Sequence, residues 1–410
     1  LEVRQLGDIY EGLLGGHLEL EGKLLIPMSE RGALQRSGTV YTPDWVVCFL
    51  VEKTLKPLAD EAHNGREVQD AIKRGKKDNS FALRILNLNV LDNAMGSGHL
   101  LVRATEWLAD QIVYHPTTKF QVETVPPGIS QEQAEVAYWR RRVVEACIYG
   151  VDSNELAVEL SKLSLWLTCI AVNEPLNFLD HHLRTANSLI GAKLDELSVL
   201  PVHQDANQIP FSFGRTLTDA VSDAIKEIEA IEEQASTEVD IVKKKEERWR
   251  DKVLERLEPF KRVANLWTAT AAGLKLNESE YVSLGSAFVE PPKPRSKEAQ
   301  EFKKLWEKHS AECERITTRL QPFHWELEFP DVFFHDDGTR KENPGFDALL
   351  GNPPYISTQT SSAFEYRTAL EQRFRFVDDL YVHFTFQGFN LLRNGGMFGY
   401  IVSDTFFTLS

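Results

Sequence analysis

The sequence reads Phe346-Asp347-Ala348-Leu349-Leu350-Gly351-Asn352-Pro353-Pro354-Tyr355 where an apolar, strand-like run enters a rigid turn. The two prolines fix φ and remove two backbone donors, so nearby carbonyl groups can face outward as free acceptors. Asn352 adds a side-chain carbonyl oxygen, and Tyr355 adds a flat ring beside it. Two acceptors next to a stacking surface suit a planar ring that carries an exocyclic amino group. Adenine fits this description better than other common metabolites.

Other interpretations of this turn are available. Asn-Pro and Pro-Pro are ordinary turn formers, and Pro-Pro-Tyr could be a polyproline-type ligand for a partner domain. Its position directly after a strand favours a binding site, because ligands bind at the carboxyl ends of strands in open α/β sheets.

A second strand-to-helix junction spans residues 90–100, with the sequence VLDNAMGSGHL. Gly96 and Gly98 would let a ligand approach the backbone closely. Leu101 stands where a dinucleotide fingerprint has its third glycine, which disfavours NAD. Asp92 at the strand end suits a ligand with a positive amino group and no pyrophosphate, such as S-adenosylmethionine. A plain strand-to-helix turn is the alternative.

Two further strand ends carry polar residues. Asp152 closes the segment Tyr149-Gly150-Val151-Asp152 and could accept hydrogen bonds from both hydroxyls of a ribose. Ser153 or Asn154 would cap the following helix, which is compatible with ribose binding. Asn187 ends a third strand-like segment and could bind the adenine edge of the cofactor.

Composition limits the class of protein. The chain has 410 residues, 42% hydrophobic and 26% charged, as in ordinary soluble enzymes, and it could form two or three structural units. It has neither an apolar run of membrane-spanning length nor a signal-peptide pattern, and its four cysteines are widely separated, which favours a reducing cytoplasm. A net charge of −15 argues against a broad basic surface that coats DNA. Since residue 1 is not methionine and the last residues are strand-like, we expect a part of a longer protein.

Strands that alternate with helices predict an α/β fold with a mostly parallel, doubly wound sheet. We divide the chain into an N-terminal helical region (1–80), the first part of the core (81–200), a helical insertion (201–320) and the second part of the core (321–410). Mixed charges at Lys243–Arg248 are typical of exposed helices in such an insertion.

Together these segments resemble the gamma class of DNA adenine-N6 methyltransferases, in particular the large methylases of restriction-modification enzymes and of BREX- or DISARM-type phage-defence systems. The stretches that carry the resemblance are 37–43, 92–101, 148–154, 179–184, 187–189, 352–355 and 395–402. The chain departs from the family pattern at Asn93, where proline is usual, at Met95, where cysteine is frequent, and at Asn187, where an acid is common.

The resemblance implies a Rossmann-like, S-adenosylmethionine-dependent methyltransferase acting on double-stranded DNA in the cytoplasm, with other defence-system subunits as further partners. It also implies a target-recognition domain beyond the last strand. The implied cofactor-binding residues are Thr42, Asp92, Ala94, Gly96, Gly98, Asp152, Ser153 and Asn187. Asn352 and Pro353 would accept hydrogen bonds from the target amino group, and Tyr355 would stack on a flipped adenine.

Two other functions fit parts of the sequence. Asn-Pro-Pro-Tyr also occurs in enzymes that methylate a glutamine amide in translation release factors, but those chains are much smaller and have no such insertion. The acidic charge is compatible with a cofactor-binding scaffold subunit that does not transfer methyl groups.

The remaining candidate residues are assigned structural roles. His99 and the pair His181-His182 have no partnering ligand pattern, so we predict no metal site. Arg140–Arg142 are expected on a solvated helix face, and Trp249 in the core beneath an exposed helix.

Overall fold

The computed structural model describes residues 42–125, 127–169, 175, 178–201, 214–234, 236, 238–356 and 364–403, and the backbone alone of 16–21 and 24–29. For residues 214–215 and 364–365 only the backbone is described.

The first described elements are two antiparallel strands, β1 (Gly16–Glu21) and β2 (Leu24–Ser29), in the register Gly16↔Ser29 to Glu21↔Leu24. The prediction of a mainly helical region over residues 1–80 is wrong for this segment. Its sequence His17-Leu18-Glu19-Leu20-Glu21 alternates polar and apolar residues, which is the two-residue period of a strand. Three helices follow: α1 (Asp44–His63), α2 (Arg66–Lys73) and α3 (Ser80–Leu86).

The central sheet of the described chain has five strands in the order β5-β4-β3-β6-β7, and every neighbouring pair is parallel. The strands are β3 (Val90–Asp92), β4 (Ile148–Asp152), β5 (Leu183–Thr185), β6 (Phe346–Gly351) and β7 (Leu392–Tyr400). The predicted α/β fold with a parallel sheet is confirmed. All five carboxyl ends therefore meet at one edge of the sheet.

Alternate residues of the central strands enter different cores. Val90 and Ile148 belong to one apolar cluster with α1 and with α4 (His99–Val113), α5 (Gln131–Cys147) and α6 (Glu155–Thr168). Leu91 and Tyr149 belong to a second cluster on the opposite face. Because both faces are covered, these strands are apolar throughout, as parallel strands usually are.

The elements described between β5 and β6 include several helices. They are α7 (Gly214–Glu233), α8 (Val239–Arg248), a π-helical turn (Trp249–Leu254), α9 (Glu255–Ala271), α10 (Glu278–Val289), α11 (Lys297–Leu320), α12 (Trp325–Glu328) and α13 (Pro330–Phe333). Between β6 and β7 lie α14 (Phe364–Phe374) and α15 (Leu380–Leu391). Trp249 is buried in the second cluster, as expected, but Lys245 is buried as well.

The prediction of a solvated face for Arg140–Arg142 is wrong. Arg141 is buried, and its guanidinium donates to the backbone carbonyls of Ser236 (2.6 Å) and Pro175 (3.0 Å). These carbonyls belong to distant connecting segments, whose positions local sequence does not indicate. The arginines thus hold the connections of the insertion to α5. No described helix combines the length and apolar character needed to cross a lipid bilayer.

Candidate active site

Asp92 closes β3 at the carboxyl edge of the sheet and is 2% exposed. Its Oδ1 accepts a hydrogen bond from the backbone N–H of Ala94 at 3.0 Å. Burial, together with the negative charge of Asp152, raises the pKa of Asp92 to about 7, although the Ala94 N–H opposes the shift. No cationic side chain among the described residues offsets this carboxylate. Such an isolated buried acid is suited to a cationic ligand.

The two glycines after Asp92 have different surroundings. Gly96 has φ +53°, and a Cβ built there would meet no atom of the described residues within 4 Å, so this part of the turn borders space that they leave open. Gly98 has φ +83°, and a Cβ there would lie 2.3 Å from Ser161 Oγ on α6. Both positions favour glycine for their backbone conformation. Gly96 leaves room for a ligand, whereas Gly98 allows α6 to pack against the turn.

Asp152 connects the end of β4 to this glycine turn. Its Oδ2 accepts from the backbone N–H of Gly96 at 3.0 Å, and its Oδ1 accepts from that of Asn154 at 2.8 Å. Burial raises the pKa of Asp152, while these N–H groups and that of Ser153 lower it. The cap of α6 is Asn154, whose Oδ1 accepts from the Leu156 N–H at 3.0 Å. Asp152 is therefore not needed as a helix cap, and Ser153 is exposed.

Asn187 lies two residues beyond β5 and is half-buried. Its Oδ1 accepts from the backbone N–H of Leu189 at 3.1 Å, and its side chain also hydrogen-bonds Tyr366. The next residue, Ser188, donates from Oγ to the carbonyl of Asn93 at 2.6 Å. That bond joins the loop after β5 to the turn after β3.

The side-chain amide of Asn352, directly after β6, is held by two hydroxyl groups. Its Nδ2 lies 2.8 Å from Thr42 Oγ1, and its Oδ1 lies 3.1 Å from the Tyr355 hydroxyl. The same hydroxyl lies 2.8 Å from the carbonyl oxygen of Ile401. The Tyr355 hydroxyl has a single proton, and the carbonyl of Ile401 can only accept. The hydroxyl therefore donates to Ile401 in preference to Asn352. The Thr42 hydroxyl can donate or accept, so it suits either orientation of the amide.

The strand register brings the predicted residues together. Asp92 pairs with Leu350, which places Asn352 just beyond the neighbouring strand end. The residues predicted at the site all lie along this edge of the sheet: Thr42, Asp92, Ala94, Gly96, Gly98, Asp152, Ser153, Asn187, Asn352, Pro353 and Tyr355. The geometry fixes where they stand, and their roles in binding and catalysis stay predictions.

Tyr400 is a residue of this site that the sequence reasoning missed. It ends β7, and its hydroxyl hydrogen-bonds Asn93 Oδ1. Burial, and then the charge of Asp92, raises the pKa of Tyr400 well above its ordinary value. A Cβ on Gly351 would lie 2.3 Å from the Tyr400 ring, so only a glycine at position 351 leaves room for this ring. Its position at the end of a strand, in Gly-Tyr-Ile-Val, was the available signal.

Comparison with known proteins agrees with this geometry. The sequence profile of the "Eco57I restriction-modification methylase" family matches residues 146–410. A protein of Methanocaldococcus jannaschii named "Putative type II restriction enzyme and methyltransferase RM.MjaORFECS2P" is 23% identical over 444 aligned residues. That alignment covers 98% of this chain and 34% of the relative, so the chain spans about a third of the relative's length. The family match covers more than half of the chain and includes four of the five central strands. The chain therefore belongs to the Eco57I restriction-modification methylase family.

Proposed function

We propose that the chain forms the methyl-transfer core of an S-adenosylmethionine-dependent DNA adenine-N6 methyltransferase. Its substrate would be double-stranded DNA, in a cytoplasmic restriction-modification or phage-defence system whose other subunits are its further partners. Family membership supports methylation of DNA. The observation that carries the proposal is the position of the Asn352–Tyr355 loop beside Asp92, at adjacent strand ends.

In this proposal the sheet is a Rossmann-like methyltransferase core made of two parts, residues 81–200 and 321–410. Residues 201–320 form an insertion between them, and the region 1–80 contributes Thr42. This division rests on the strand order, in which β6 lies next to β3.

The residues along the edge suit S-adenosylmethionine. Asp92 offers a buried carboxylate that lacks a described cationic partner, which fits the positive amino group of the methionine end. The carboxylate of Asp152 accepts from the backbone N–H groups of Gly96 and Asn154 and also interacts with that of Ser153, and its remaining lone-pair capacity is available to a ribose hydroxyl. Open space at Gly96 leaves room for the cofactor backbone. When bound, the cofactor supplies an electrophilic methyl group on its sulfonium.

Asn352 and Pro353 would activate the target amino group. The lone pair of this nitrogen is delocalised into the adenine ring, which makes it a weak nucleophile. The Asn352 side-chain oxygen and the Pro353 carbonyl would accept its two hydrogens, turn the lone pair out of the ring plane and stabilise the developing positive charge. The contacts to Thr42 and Tyr355 hold the amide in place beforehand, so alignment contributes to the rate.

Removing the target adenine from the duplex costs a few kcal/mol. Stacking on Tyr355 would return about 1–3 kcal/mol of this cost. The ring of Tyr355 is supported from within, because Tyr381 lies 5.7 Å from it, centroid to centroid.

Substitution of the loop in the complete protein tests the proposal. We expect Asn352→Ala and Tyr355→Ala to abolish transfer of tritiated methyl groups to DNA, while the cofactor dissociation constant stays within about threefold. Asn343→Ala is the matched control, since Asn343 hydrogen-bonds Asn394 on an exposed loop and should keep full activity. Tyr355→Phe separates the ring from the hydroxyl.

Three results would favour other functions. Activity retained in both alanine variants would remove the acceptor-and-stack assignment. Methyl groups found on a glutamine side chain of a protein would indicate the release-factor type of enzyme. Tight cofactor binding with no methylation of any DNA by the complete protein, together with capture of a partner subunit, would indicate the scaffold.

A further inference from the structure

A cluster of three ligand-type side chains lies apart from the methyl-transfer site. It comprises His181 and His182, which precede β5, and Glu232 in the last turn of α7. One ligand atom from each residue lies within 4.8 Å of those of the other two. His182 Nε2 is 3.0 Å from Glu232 Oε1, and the two imidazole centroids are 4.0 Å apart.

The cluster sits near the start of β4, away from the strand ends that carry the candidate active site. The His182 ring packs on Tyr149, with 3.9 Å between ring centroids, and the His182 carbonyl accepts from the Gly150 N–H at 3.0 Å. Asp152 lies two residues further along β4, at the opposite end of this short strand. The cluster is therefore separate from the residues assigned to methyl transfer.

The imidazoles are buried and poorly satisfied. His181 is 2% exposed and His182 is 1% exposed. Neither ring nitrogen of His181, nor Nδ1 of His182, makes a hydrogen bond of normal geometry within the described part of the chain. The backbone carbonyl of Glu145 is near enough to the His181 ring to raise its pKa slightly, but not to form such a bond. Buried polar atoms in this condition are costly unless something binds them.

Both positive and negative side chains surround Glu232, the third residue of the cluster. Burial raises the pKa of Glu232 to about 8; nearby carboxylates, Glu229 and Glu145, add to the shift, and Arg142 and Lys245 oppose it. Lys245 already lies 2.9 Å from Ser236 Oγ and 3.8 Å from a Glu145 oxygen. Glu232 offers a carboxylate oxygen beside the two imidazoles.

We propose that His181, His182 and Glu232 bind a divalent transition-metal ion, zinc in the first place. Two imidazoles and one carboxylate form a donor set typical of zinc and of iron(II), and among the described residues the cluster includes neither a thiolate nor a ring of oxygens. With these three ligands, the fourth position of a tetrahedral ion would hold a water molecule. The ion would fasten α7 of the insertion to the segment that leads into β5.

Metal analysis of the complete, untagged protein tests this. After incubation with zinc and gel filtration, mass spectrometry should find about one zinc per chain. His181→Ala and Glu232→Gln should reduce this content to below about a tenth of an equivalent. His309→Gln is the matched control, because His309 is likewise buried and lies 3.5 Å from Glu280, but it has no second histidine beside it. It should keep its zinc.

Two further measurements guard against misfolding. Glu232→Gln keeps the size of the side chain and a donor to His182, so circular dichroism should show a native fold without metal.

In the unsubstituted protein, Co²⁺ should give the visible absorption of a tetrahedral site, and Zn²⁺ should raise the melting temperature where Mg²⁺ does not. Absence of zinc from the unsubstituted protein, or as much zinc in the Glu232→Gln and His181→Ala variants as in the unsubstituted protein, would overturn the proposal. The cluster would then be a hydrogen-bonded pair of neutral Glu232 and His182.

Discussion

Asp92 combines a carboxyl group, near-complete burial and a neighbouring acid, Asp152, at the end of β3. The resulting pKa of about 7 lies within the physiological range, where a small change of pH changes its charge. If the amino group of S-adenosylmethionine binds there, only the ionised form of Asp92 binds it well. Cofactor affinity then acquires a pH dependence that the cofactor's own ionisation does not explain.

We therefore expect the dissociation constant of S-adenosylhomocysteine to rise about tenfold as the pH falls from 8 to 6, because Asp92 becomes protonated over this interval. Isothermal titration calorimetry at several pH values measures the change. Asp92→Asn should bind more weakly at pH 8 and show little pH dependence. The same slope in this variant would assign the effect to another group.

The same carboxyl group should destabilise the cofactor-free protein. Its folded-state pKa is raised, so its contribution to stability is fully present below the unfolded pKa, near 4, and is lost as the pH rises through about 7. We expect Asp92→Asn to increase the free energy of unfolding by about 1–3 kcal/mol at pH 8, and by less at pH 5. Urea denaturation at the two pH values measures it. A variant that is less stable at pH 8 would show that the Asp92 bond to Ala94 outweighs its burial.

At the residue scale, the sequence predicted site residues where a polar side chain suited to binding or catalysis lies at or just after the end of a strand, as at Asp92, Asp152 and Asn352. It did not predict their partners. Tyr400 reaches Asn93 only because β7 pairs with β6, and Thr42 reaches Asn352 from 310 positions away. Contacts of this kind depend on tertiary structure, which local patterns do not encode.

At the scale of single elements, Asn154 gives α6 a defined start next to Asp152. Its side chain caps the helix, while its backbone N–H donates to the Asp152 carboxylate. One residue thus stabilises the helix and orients a residue of the candidate site.

Replacing this cap should affect both properties. We expect Asn154→Ala to lower the free energy of unfolding by about 1 kcal/mol, because the first turn of α6 loses its side-chain acceptor. Cofactor affinity should fall a few-fold, since the backbone beside Asp152 is less well held. Asn154→Ser, which can still cap, serves as the control in urea denaturation and calorimetry. If the serine and alanine variants behave alike, capping is not the cause.

The elements were predicted where their periodicity was strong or their residues apolar throughout, as in β3 and β6. The sequence analysis predicted a mainly helical N-terminal region and did not predict the hairpin β1–β2, although β1 has an alternating pattern. The order of the strands could not be predicted from the sequence. No local pattern in β3 indicates that its second neighbour is β6 and not a strand nearer in the chain.

At the scale of the whole molecule, a buried ion network connects the insertion to the sheet. Glu328 of α12 lies 2.9 Å from Lys261 Nζ of α9 and 2.6 Å from Arg184 Nη2 of β5. Burial alone would raise the pKa of Glu328, but Lys261 and Arg184 hold it at about 2. The stability that this group contributes is present above its unfolded pKa, near 4.5, and is lost as the pH falls through about 2.

We expect Glu328→Gln to lower the free energy of unfolding by about 3–5 kcal/mol at pH 7, because buried Lys261 and half-buried Arg184 lose their counter-charge. Glu312→Gln removes an exposed pair with Arg315, and should leave the urea midpoint close to that of the parent, because solvent screens exposed pairs. Urea unfolding compares the two variants with the parent. A loss at Glu328 that persists undiminished toward pH 2 would contradict the electrostatic origin.

The position of β6 next to β3 has a consequence for synthesis in the cell. More than 250 residues separate the two strands, and a ribosome adds roughly 5–20 residues per second, so β6, the second partner of β3 after β4, emerges roughly 10–50 s after it. During that time the nascent chain exposes one unpaired backbone edge of an apolar strand, to which other chains can add. Yield should therefore respond to translation speed and to chaperones that shield young polypeptides, even for variants whose finished fold is as stable as the parent's.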